Sequence, residues 1–485
     1  MVVRGEGKSY SEGLADFVAG LKFDSIPREV TTKAKIHVMD SIAVAMAGST
    51  MEWCQDASRV FQQMEGPAQA TVLGHKERIA TPNAAIANGI AIAAMDFDDT
   101  DYTGGGCHMS RCVVATALAV GEAFGCSGKE VLIAAVAGYE TATRVGSALL
   151  LDRYGPRAAQ QSWGPEDLAA HHRMREGTAL VRGYIPGLFA AAVAAGRLMG
   201  LDAAQLVAAQ GLVGGLGSFL GQSHREGTDS ILVHAGWAAH AGVIAALWAR
   251  HGLRGPRLIY EGDRGLLTVI GGDLRDPTRL ASGLGSRWNT LDNLIKFYPG
   301  GHATHHFVES LMSLANEHHF AAEDVDQIEC SVPAQRIEFH FEPKEEKLHP
   351  TPYNARFSLP YLLARLLTDG ELGALSFTRE KVSEPDVLDL ASRVTYVADE
   401  TAWFGPNRGS VTIKLRDGRV FNRSTQYLLG SSNRPCERND LLKKFKTNAS
   451  LVLNDQSRID ELIRALETLE YADDIRAVMK LTVPA

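Results

Sequence analysis

The stretch Ala84–Asp101, AAIANGIAIAAMDFDDTD, joins an apolar run to a cluster of acids. The run to Ala94 contains mostly small and apolar residues, and it predicts a buried helix. Four carboxylates follow within six positions, and the glycines at 104–106 then precede Cys107 and His108. Acids and a histidine that leave a packed helix for a glycine-rich loop are typical of a functional site on a rigid element. The alternative is a polar helix end whose aspartates are solvated.

Length and composition narrow the classes of protein. A chain of 485 residues is too long for one compact core, so two domains are expected. A formal net charge of -8 gives no basic surface, which argues against nucleic acid and anionic membrane as partners. The first 25 residues lack the apolar core of a signal peptide, and no apolar helix offers the uninterrupted ~20 residues of a bilayer span. We therefore expect a soluble, cytoplasmic protein.

Six cysteines stand at positions 54, 107, 112, 126, 330 and 436. Cys107 and Cys112 are the only close pair, and no further cysteine lies at the spacing of a zinc or iron–sulfur site. Scattered cysteines in a chain of this length are typical of reduced thiols in a reducing compartment. We expect no metal or cluster site.

Apolar residues three and four apart predict that the first 255 residues are helical. Their Ala-rich and Gly-rich faces indicate helices that approach one another closely. Gly214–Gly217 follows no strand, so a dinucleotide-binding loop is not predicted there. The predicted helices are Ser11–Leu21, Pro27–Ala47, Asn83–Ala94, Val113–Phe124, Lys129–Leu150, Gly187–Met199, Ala203–Leu216 and Val233–Ala249.

The pattern changes after residue 273, where alternating strands appear at Val325–Val332 and Val411–Val420. An Asp-Gly hairpin turn is predicted at Arg416–Arg419. We therefore predict a mainly α protein, with an all-helical domain over 1–273 and 433–485 and a smaller α+β domain over 274–432. A polar stretch, Tyr154–Thr178, interrupts the first domain as a surface loop or a lid.

The segment Lys296–His306, KFYPGGHATHH, concentrates groups that titrate near neutral pH. This density favours proton transfer, whereas the alternative is helix capping with satisfied core histidines. His302 and His306 are four residues apart and resemble half of a zinc site, but no glutamate follows the HExxH pattern. A nucleophilic serine in a G-x-S-x-G motif is absent as well.

Asn88-Gly89, the acids from Asp96 to Asp99, Thr100 and then His108 resemble the signature of the MmgE/PrpD family. This family includes 2-methylcitrate dehydratase, cis-aconitate decarboxylase and iminodisuccinate epimerase. The resemblance runs over nearly the whole chain, and only the combination of motifs is specific. The further similar segments are Gly187–Asp202, Glu226–Thr228, His234–Ala239, Lys296–Pro299, Thr304–His305 and Asn354–Tyr361.

The resemblance implies a homodimer whose subunit has a helical domain with both termini and a smaller lid domain. It places the site in the cleft between them and implies no metal or organic cofactor. Asp96, Thr100 and His108 match site positions of the family, and His305 matches the site histidine of the lid. Catalysis is assigned to Asp96, His108 and His305, without deciding which of the first two is the base. The candidate substrate-binding residues are Thr100, Tyr102, Lys296, His302, Arg356 and His224.

Two departures from the family pattern concern the substrate. Ile185 follows Gly183-Tyr184 where the family has a histidine, and Ile231 stands where it has a lysine. Groups of this kind stabilise developing negative charge, commonly by ~3 kcal/mol per donor. Without them a di- or tricarboxylate binds poorly, unless His224, Arg356, Arg225 or the insertion replaces them.

We therefore expect a cofactor-independent lyase, of the dehydratase or decarboxylase type, that acts on a small carboxylic acid or a less charged relative. The alternatives are an isomerase or epimerase of the same family, and a binding homologue that has lost the chemistry. A magnesium-dependent helical enzyme is a third alternative, but Asp98–Tyr102 misses the DDxxD spacing by one residue.

Overall fold

The computed structural model describes residues 7–64, 66–101, 108–149, 182–217, 219–226, 228, 230–271, 275–334, 337–399 and 409–484. Helix predominates over strand in this part of the chain, so the fold is mainly α, as predicted. The inserted stretch 154–178, Tyr102 and Cys107 lie outside the described residues.

The described helices include each one predicted within the first 255 residues, with ends that differ by a few residues, and others that the periodicity did not predict. They are α1 Tyr10–Gly20, α2 Arg28–Ser49, α3 Glu52–Gln62, α4 Thr81–Ala93, α5 Ser110–Phe124, α6 Gly128–Ala148, α7 Ile185–Leu198, α8 Ala203–Val213, α9 Gln222–Glu226, α10 Ser230–Arg250, α11 Leu266–Val269, α12 His305–His318, α13 Ile337–His340, α14 Lys344–Leu348, α15 Pro352–Ala355, α16 Leu359–Asp369, α17 Arg379–Val382, α18 Pro385–Ser392, α19 Arg438–Ala449, α20 Gln456–Glu467 and α21 Ile475–Leu481. Helix α3 was not predicted because it is polar and lies at the surface of its unit.

The strands are short except in one sheet. They are β1 Ala70–Thr71, β2 Arg78–Ile79, β3 Thr100–Asp101, β4 Asn293–Leu294, β5 Val325–Pro333, β6 Val394–Asp399, β7 Ser410–Leu415 and β8 Val420–Arg423. Antiparallel pairs form between β1 and β2 and between β3 and β4, and the other four strands form a sheet in the order β6-β5-β7-β8.

Two compact units divide the chain. Unit 1 contains the described residues of Met1–Ala94, Asp98–Ile295 and Glu437–Ala485, and unit 2 those of Met95–Phe97 and Lys296–Cys436. The change of sequence pattern predicts this boundary at residue 273, whereas the structure has it after Ile295. The reason for the difference lies in two buried side chains of α6: Glu140 accepts hydrogen bonds from Thr290 N and Oγ1, and Arg144 donates to carbonyls of residues 282–287. These contacts hold the segment before residue 296 to unit 1.

The core of unit 1 is built around α4, which packs against α2, α5 and α10. Every residue of α4 from Ala84 to Ala93 is buried, as its apolar sequence predicts. The helices cross closely where glycines meet. A Cβ on Gly89 would lie 2.7 Å from the Arg111 carbonyl oxygen, and one on Gly236 would lie 2.5 Å from that of Ile86. The small residues therefore determine how near α5 and α10 come to α4.

Helix α10 is the one described helix that is long and apolar enough to cross a bilayer by length and composition. Of its most apolar window, 61% is buried inside the structure. His234 and His240 interrupt the apolar sequence of this helix, which packs against α4, α7 and α8. These are the properties of a core helix in a helical unit.

Unit 2 combines helices with the four-stranded sheet. β5 pairs in parallel with β6 and antiparallel with β7, and β7 continues into β8 through the predicted Asp-Gly turn, where Gly418 has a φ of +90°. Helix α12 packs on this sheet together with α16, and their apolar residues form the core of the unit. Strand β6 was not predicted because it is an edge strand whose side chains are mostly exposed, which removes the alternating pattern.

Candidate functional site

Three of the four carboxylates in the acidic stretch are buried in unit 1. Asp98 and Asp101 have 0% of their surface exposed and Asp99 has 1%. The alternative of solvated aspartates is therefore wrong for these three residues. Because buried carboxylates need partners, their surroundings indicate what they do.

Asp98 is held by a bidentate ion pair with Arg111, which lies in the first turn of α5. Arg111 Nε donates to Asp98 Oδ2 at 2.8 Å, and Arg111 Nη2 donates to Asp98 Oδ1. Arg111 Nη1 also lies 3.4 Å from the hydroxyl oxygen of Tyr184. Planar guanidinium and carboxylate groups match in this geometry, so the pair fixes both side chains.

His108 is anchored through its Nδ1 atom, which lies 2.6 Å from the main-chain carbonyl oxygen of Asp99. A carbonyl oxygen only accepts hydrogen bonds, so Nδ1 carries the proton and donates. In the neutral ring the lone pair is then on Nε2. The same Nδ1 is 3.9 Å from Asp98 Oδ1, and 22% of the side chain is exposed. The arrangement sets one tautomer of a partly exposed histidine beside a buried carboxylate.

The Asp99 side chain faces the interior of unit 1. Its Oδ1 accepts a hydrogen bond from Ser110 N at 3.0 Å, at the start of α5. Burial and the neighbouring Asp98 charge raise the pKa of Asp99 to about 6. His37 Nδ1 is 3.5 Å from Asp99 Oδ2. Burial lowers the pKa of His37 well below its usual value, so this ring is neutral and supplies no compensating charge.

Thr100 and Asp101 form β3, which pairs with Leu294 and Asn293 of β4. Thr100 is buried. It can therefore contact a substrate atom only if the surrounding groups open toward it. The pairing fixes the backbone directly after the acids. In unit 1 the structure thus brings together Asp98, Asp99, Thr100 and His108.

Asp96 belongs to unit 2, where it forms an ion pair with Lys296. Lys296 Nζ is 2.9 Å from Asp96 Oδ1 and also donates to the main-chain oxygens of Asp96, at 2.8 Å, and Gly300, at 3.4 Å. The lysine side chain is fully buried, whereas 14% of the aspartate side chain is exposed. Asp96 has a φ of +50°, a conformation that non-glycine residues rarely adopt and that occurs often at functional sites.

The histidine cluster of unit 2 has two kinds of member. His306 is buried with Nδ1 2.8 Å from the Thr425 carbonyl oxygen, which matches the alternative of a satisfied core histidine. His305 is buried as well, and its ring lies edge-on to Tyr298 at 5.6 Å and to His302 at 5.5 Å. His302 is half-buried. Ring contacts, not an i, i+4 zinc geometry, therefore describe these side chains.

Arg356 is buried in unit 2, with its guanidinium 4.4 Å from the Tyr353 ring centre and Nε donating to the Tyr353 carbonyl oxygen at 3.2 Å. Its own carbonyl oxygen accepts from Gly301 N at 2.9 Å. A Cβ on Gly300, which has a φ of +102°, would lie 2.6 Å from that oxygen. The glycine pair after Pro299 therefore packs directly on Arg356.

The structure describes less of two other candidate substrate-binding residues, His224 and Tyr102. His224 lies in α9, but its side chain is outside the description, as is all of Tyr102. Ile185 and Ile231, at the two positions where the sequence departs from the family pattern, are buried with 2% and 4% exposed. Tyr184, next to Ile185, contacts the rings of Phe219 and His234 at 5.8 and 6.1 Å. Tyr184 therefore neighbours two rings and the Arg111 guanidinium.

Arg111, His37 and Tyr139 were not predicted as neighbours of the acids. Each is a polar residue at a buried position of its helix, and the sequence shows only that it stands among apolar neighbours. Such residues are expensive to bury unless they pair. Their partners lie far away in the sequence, so the pairing itself was not predictable.

Comparison with known proteins supplies a further finding. The sequence of residues 12–276 matches the family model of the MmgE/PrpD N-terminal domain, and residues 298–468 match that of the MmgE/PrpD C-terminal domain. The chain is 25% identical over 490 residues to a protein named cis-aconitate decarboxylase from Aspergillus terreus, covering 96% of this chain and 94% of the relative. It is also 25% identical over 492 residues to the cis-aconitate decarboxylase of Homo sapiens, covering 98% of this chain and 94% of the relative.

Proposed function

Because the chain belongs to the MmgE/PrpD family, we propose that it is a lyase of the decarboxylase or dehydratase type acting on a small carboxylic acid. The names of its relatives support this reaction class. The observation that carries the proposal is the hydrogen bond from His108 Nδ1 to the Asp99 carbonyl oxygen. It leaves Nε2 as the basic nitrogen of a partly exposed ring, which suits a proton carrier near neutral pH.

His108 is the proton carrier in either form of the reaction. In a decarboxylation the bond between a carbon and a carboxylate breaks, carbon dioxide leaves, and the carbon that keeps the electron pair takes a proton from protonated Nε2. In a dehydration Nε2 takes a proton from the carbon beside a carboxylate, and the C–O bond on the neighbouring carbon breaks. The hydroxyl group then departs as water with a proton from a general acid, the role that the resemblance gives to His305. The Asp98–Arg111 pair keeps the surroundings of the ring fixed in both cases.

Asp96 and Lys296 are the second assigned pair. The carboxylate of Asp96 is already neutralised by the ammonium group at 2.9 Å, so the pair suits the stabilisation of charge rather than the role of a strong base. The strained backbone of Asp96 supports a functional role for this residue. Thr100 and His305 are assigned to substrate contact and to proton transfer on the strength of the resemblance.

The substrate is assigned fewer negative charges than a tricarboxylate. Ile185 and Ile231 are buried where the family pattern has a histidine and a lysine. An anionic group placed against these two side chains would lose hydration without gaining a partner. We therefore assign an unsaturated or hydroxylated acid with one or two carboxylates and an apolar substituent.

We also assign the reaction to a homodimer that needs neither a metal nor an organic cofactor. Dialysis against EDTA should leave turnover unchanged, and light scattering on the purified protein measures the oligomeric state. A loss of turnover that a single divalent metal restores would contradict this part of the proposal.

The test of the reaction class is carbon-13 NMR of wild-type protein with cis-aconitate and with a panel of unsaturated and hydroxy acids of one to three carboxylates. The expected result is either decarboxylation, seen as release of carbon dioxide with deuterium entering the product in D2O, or dehydration, seen as conversion of a hydroxy acid to an unsaturated acid. Inversion of a stereocentre without loss of a group would instead favour an isomerase or epimerase. Tight binding without turnover would favour a homologue that has lost the chemistry.

The matched variants are His108→Asn and His349→Asn. Asparagine can still donate to the Asp99 carbonyl oxygen but lacks a basic nitrogen at the Nε2 position, so kcat should fall at least ~100-fold. His349 is exposed on unit 2 and is expected to tolerate the same change. A His108→Asn enzyme with wild-type turnover would remove His108 from the mechanism.

A further inference from the structure

A second group of buried polar side chains lies behind His108, and the proposed reaction does not use it. It consists of Asp99, His37 on α2 and Tyr139 on α6, all buried. The rings of His37 and Tyr139 are 4.9 Å apart and tilted by 33°. Within the described residues, Asp99 Oδ2, the Tyr139 hydroxyl and both His37 nitrogens lack a hydrogen bond of good geometry.

Buried polar atoms of this kind are costly, typically ~1–3 kcal/mol for each group without a partner. Replacing such a set by apolar residues of similar volume is often neutral or stabilising. The three residues therefore need a reason other than stability. Of the three, Asp99 has a direct link to the proposed chemistry, because its main-chain carbonyl oxygen holds His108.

We propose that Asp99 is a positioning residue that sets the tautomer and orientation of His108, with His37 and Tyr139 holding the Asp99 side chain from behind. This inference rests on the proposed function, in which His108 carries the proton. Asp99 contacts the segment of His108 at two points: its carbonyl oxygen accepts from His108 Nδ1, and its carboxyl oxygen Oδ1 accepts from Ser110 N.

The two contacts work as a clamp because they come from one residue. The carbonyl group of Asp99 can rotate away from His108 only if the peptide plane turns, and the side-chain bond to Ser110 at the first turn of α5 opposes this turn. A carboxyl group at a helix N-terminus also faces the positive end of the helix dipole. Asp99 therefore couples the ring of His108 to the rigid helix α5.

His37 on α2 and Tyr139 on α6 lie beside the Asp99 carboxyl group. His37 Nδ1 lies 3.5 Å from Asp99 Oδ2, and the Tyr139 hydroxyl interacts with the same carboxyl group and favours its ionised form. The carboxyl group thus has a neutral ring and a phenol beside it, while its Oδ1 accepts the hydrogen bond from Ser110 N.

The experiment compares Asp99→Ala and Asp99→Asn with wild type. Alanine keeps the carbonyl group but removes the bond to Ser110, whereas the asparagine side-chain oxygen can still accept that bond. We expect kcat to fall about 10-fold in Asp99→Ala with KM changed less than about 2-fold, as for loss of orientation rather than of binding. Asp99→Asn should recover most of the lost kcat.

A readout independent of turnover is the nitrogen-15 NMR spectrum of protein labelled at histidine, with the His108 signals identified by their loss in His108→Asn. Wild type should show a protonated Nδ1 and an unprotonated Nε2 at high pH. Asp99→Ala should show a mixture of tautomers, and Asp99→Asn should resemble wild type. Thr116→Val, which alters a buried hydroxyl on the same helix α5, is the control that should change nothing.

The outcomes separate the two proposals. A wild-type tautomer in folded Asp99→Ala would overturn the positioning role, whatever the turnover. If the tautomer changes as expected but no lyase substrate is turned over by wild type, the positioning role stands and the proposed function fails. Melting temperatures exclude variants that do not fold, and Tyr139→Phe then provides a milder test, with the same direction of change expected.

Discussion

The ion pair between Lys296 and Asp96 leads to the sharpest prediction, made for Lys296→Met. Methionine keeps the length of the side chain and removes the ammonium group, which contacts one carboxylate and two carbonyl oxygens. Breaking a buried pair by removing one partner typically costs ~3–5 kcal/mol. Because 14% of the Asp96 side chain is exposed and solvent can reach it, we expect the lower end, about 3 kcal/mol. Loss of one charge-stabilising group should also lower kcat about 100-fold or more.

The assay is a double-mutant cycle with Asp96→Asn, since asparagine tolerates the positive φ of this position. Lys296→Met/Asp96→Asn should lose at least about 1 kcal/mol less than the sum of the single losses, because each single change leaves a buried group without its partner. Unfolding of the two units need not coincide. Hydrogen exchange of peptides from α12 therefore reports the stability of unit 2 itself.

Two results would refute this reasoning. Additive losses within about 0.5 kcal/mol would mean that the two groups do not interact energetically, despite the 2.9 Å contact. Wild-type turnover in folded Lys296→Met would remove the pair from the mechanism. Lys414→Met, which removes an exposed lysine on β7 of the same unit, is the matched control and should have little effect on either measurement.

The remaining predictions concern unit 1. The pKa of Asp99 is raised from 3.8 to about 6, so the folded state binds this proton more tightly than the unfolded state does. Wild type should therefore lose about 2 kcal/mol of stability relative to Asp99→Asn as pH rises from 4 to 7, with little further loss above pH 7. Urea titrations at each pH measure the difference, and a pH-independent difference would contradict the prediction. Gly48→Ala should destabilise by about 1–3 kcal/mol, because its Cβ would lie 2.0 Å from the Ala91 carbonyl oxygen, whereas Gly13→Ala, with nothing within 4 Å, should be neutral or stabilising in the same melts. Arg111→Lys should lower kcat about 10-fold because lysine cannot make the bidentate bond to Asp98, and a wild-type rate would show that this geometry is dispensable.

Local pattern predicted most of the helices because their causes are local. Apolar residues at helical spacing, with Ser9 and Ser127 as N-caps, determine where α1 and α6 begin. The prediction was poorer where the apolar pattern is weak. The mostly polar helix α3 and the exposed edge strand β6 were both missed, because few of their residues are both apolar and buried.

Domain limits were harder to predict than helices. Nothing in the sequence around Thr290 shows that its backbone N–H meets the buried Glu140 of α6, and this contact assigns the segment to unit 1. The acidic stretch poses the same difficulty at a smaller scale. Asp96 and Asp98 are two residues apart, yet one pairs with Lys296 in unit 2 and the other with Arg111 in unit 1.

By itself the sequence determined the family and the mainly helical fold, because motif order and helical periodicity are properties of the chain. Tertiary structure alone decided which acids are buried, that Lys296 pairs with Asp96 and Arg111 with Asp98, and which tautomer His108 adopts. The physical reason is that burial, ion pairing and the pKa of Asp99 depend on groups brought together from distant positions, such as His37 and Tyr139. No local pattern contains these distances.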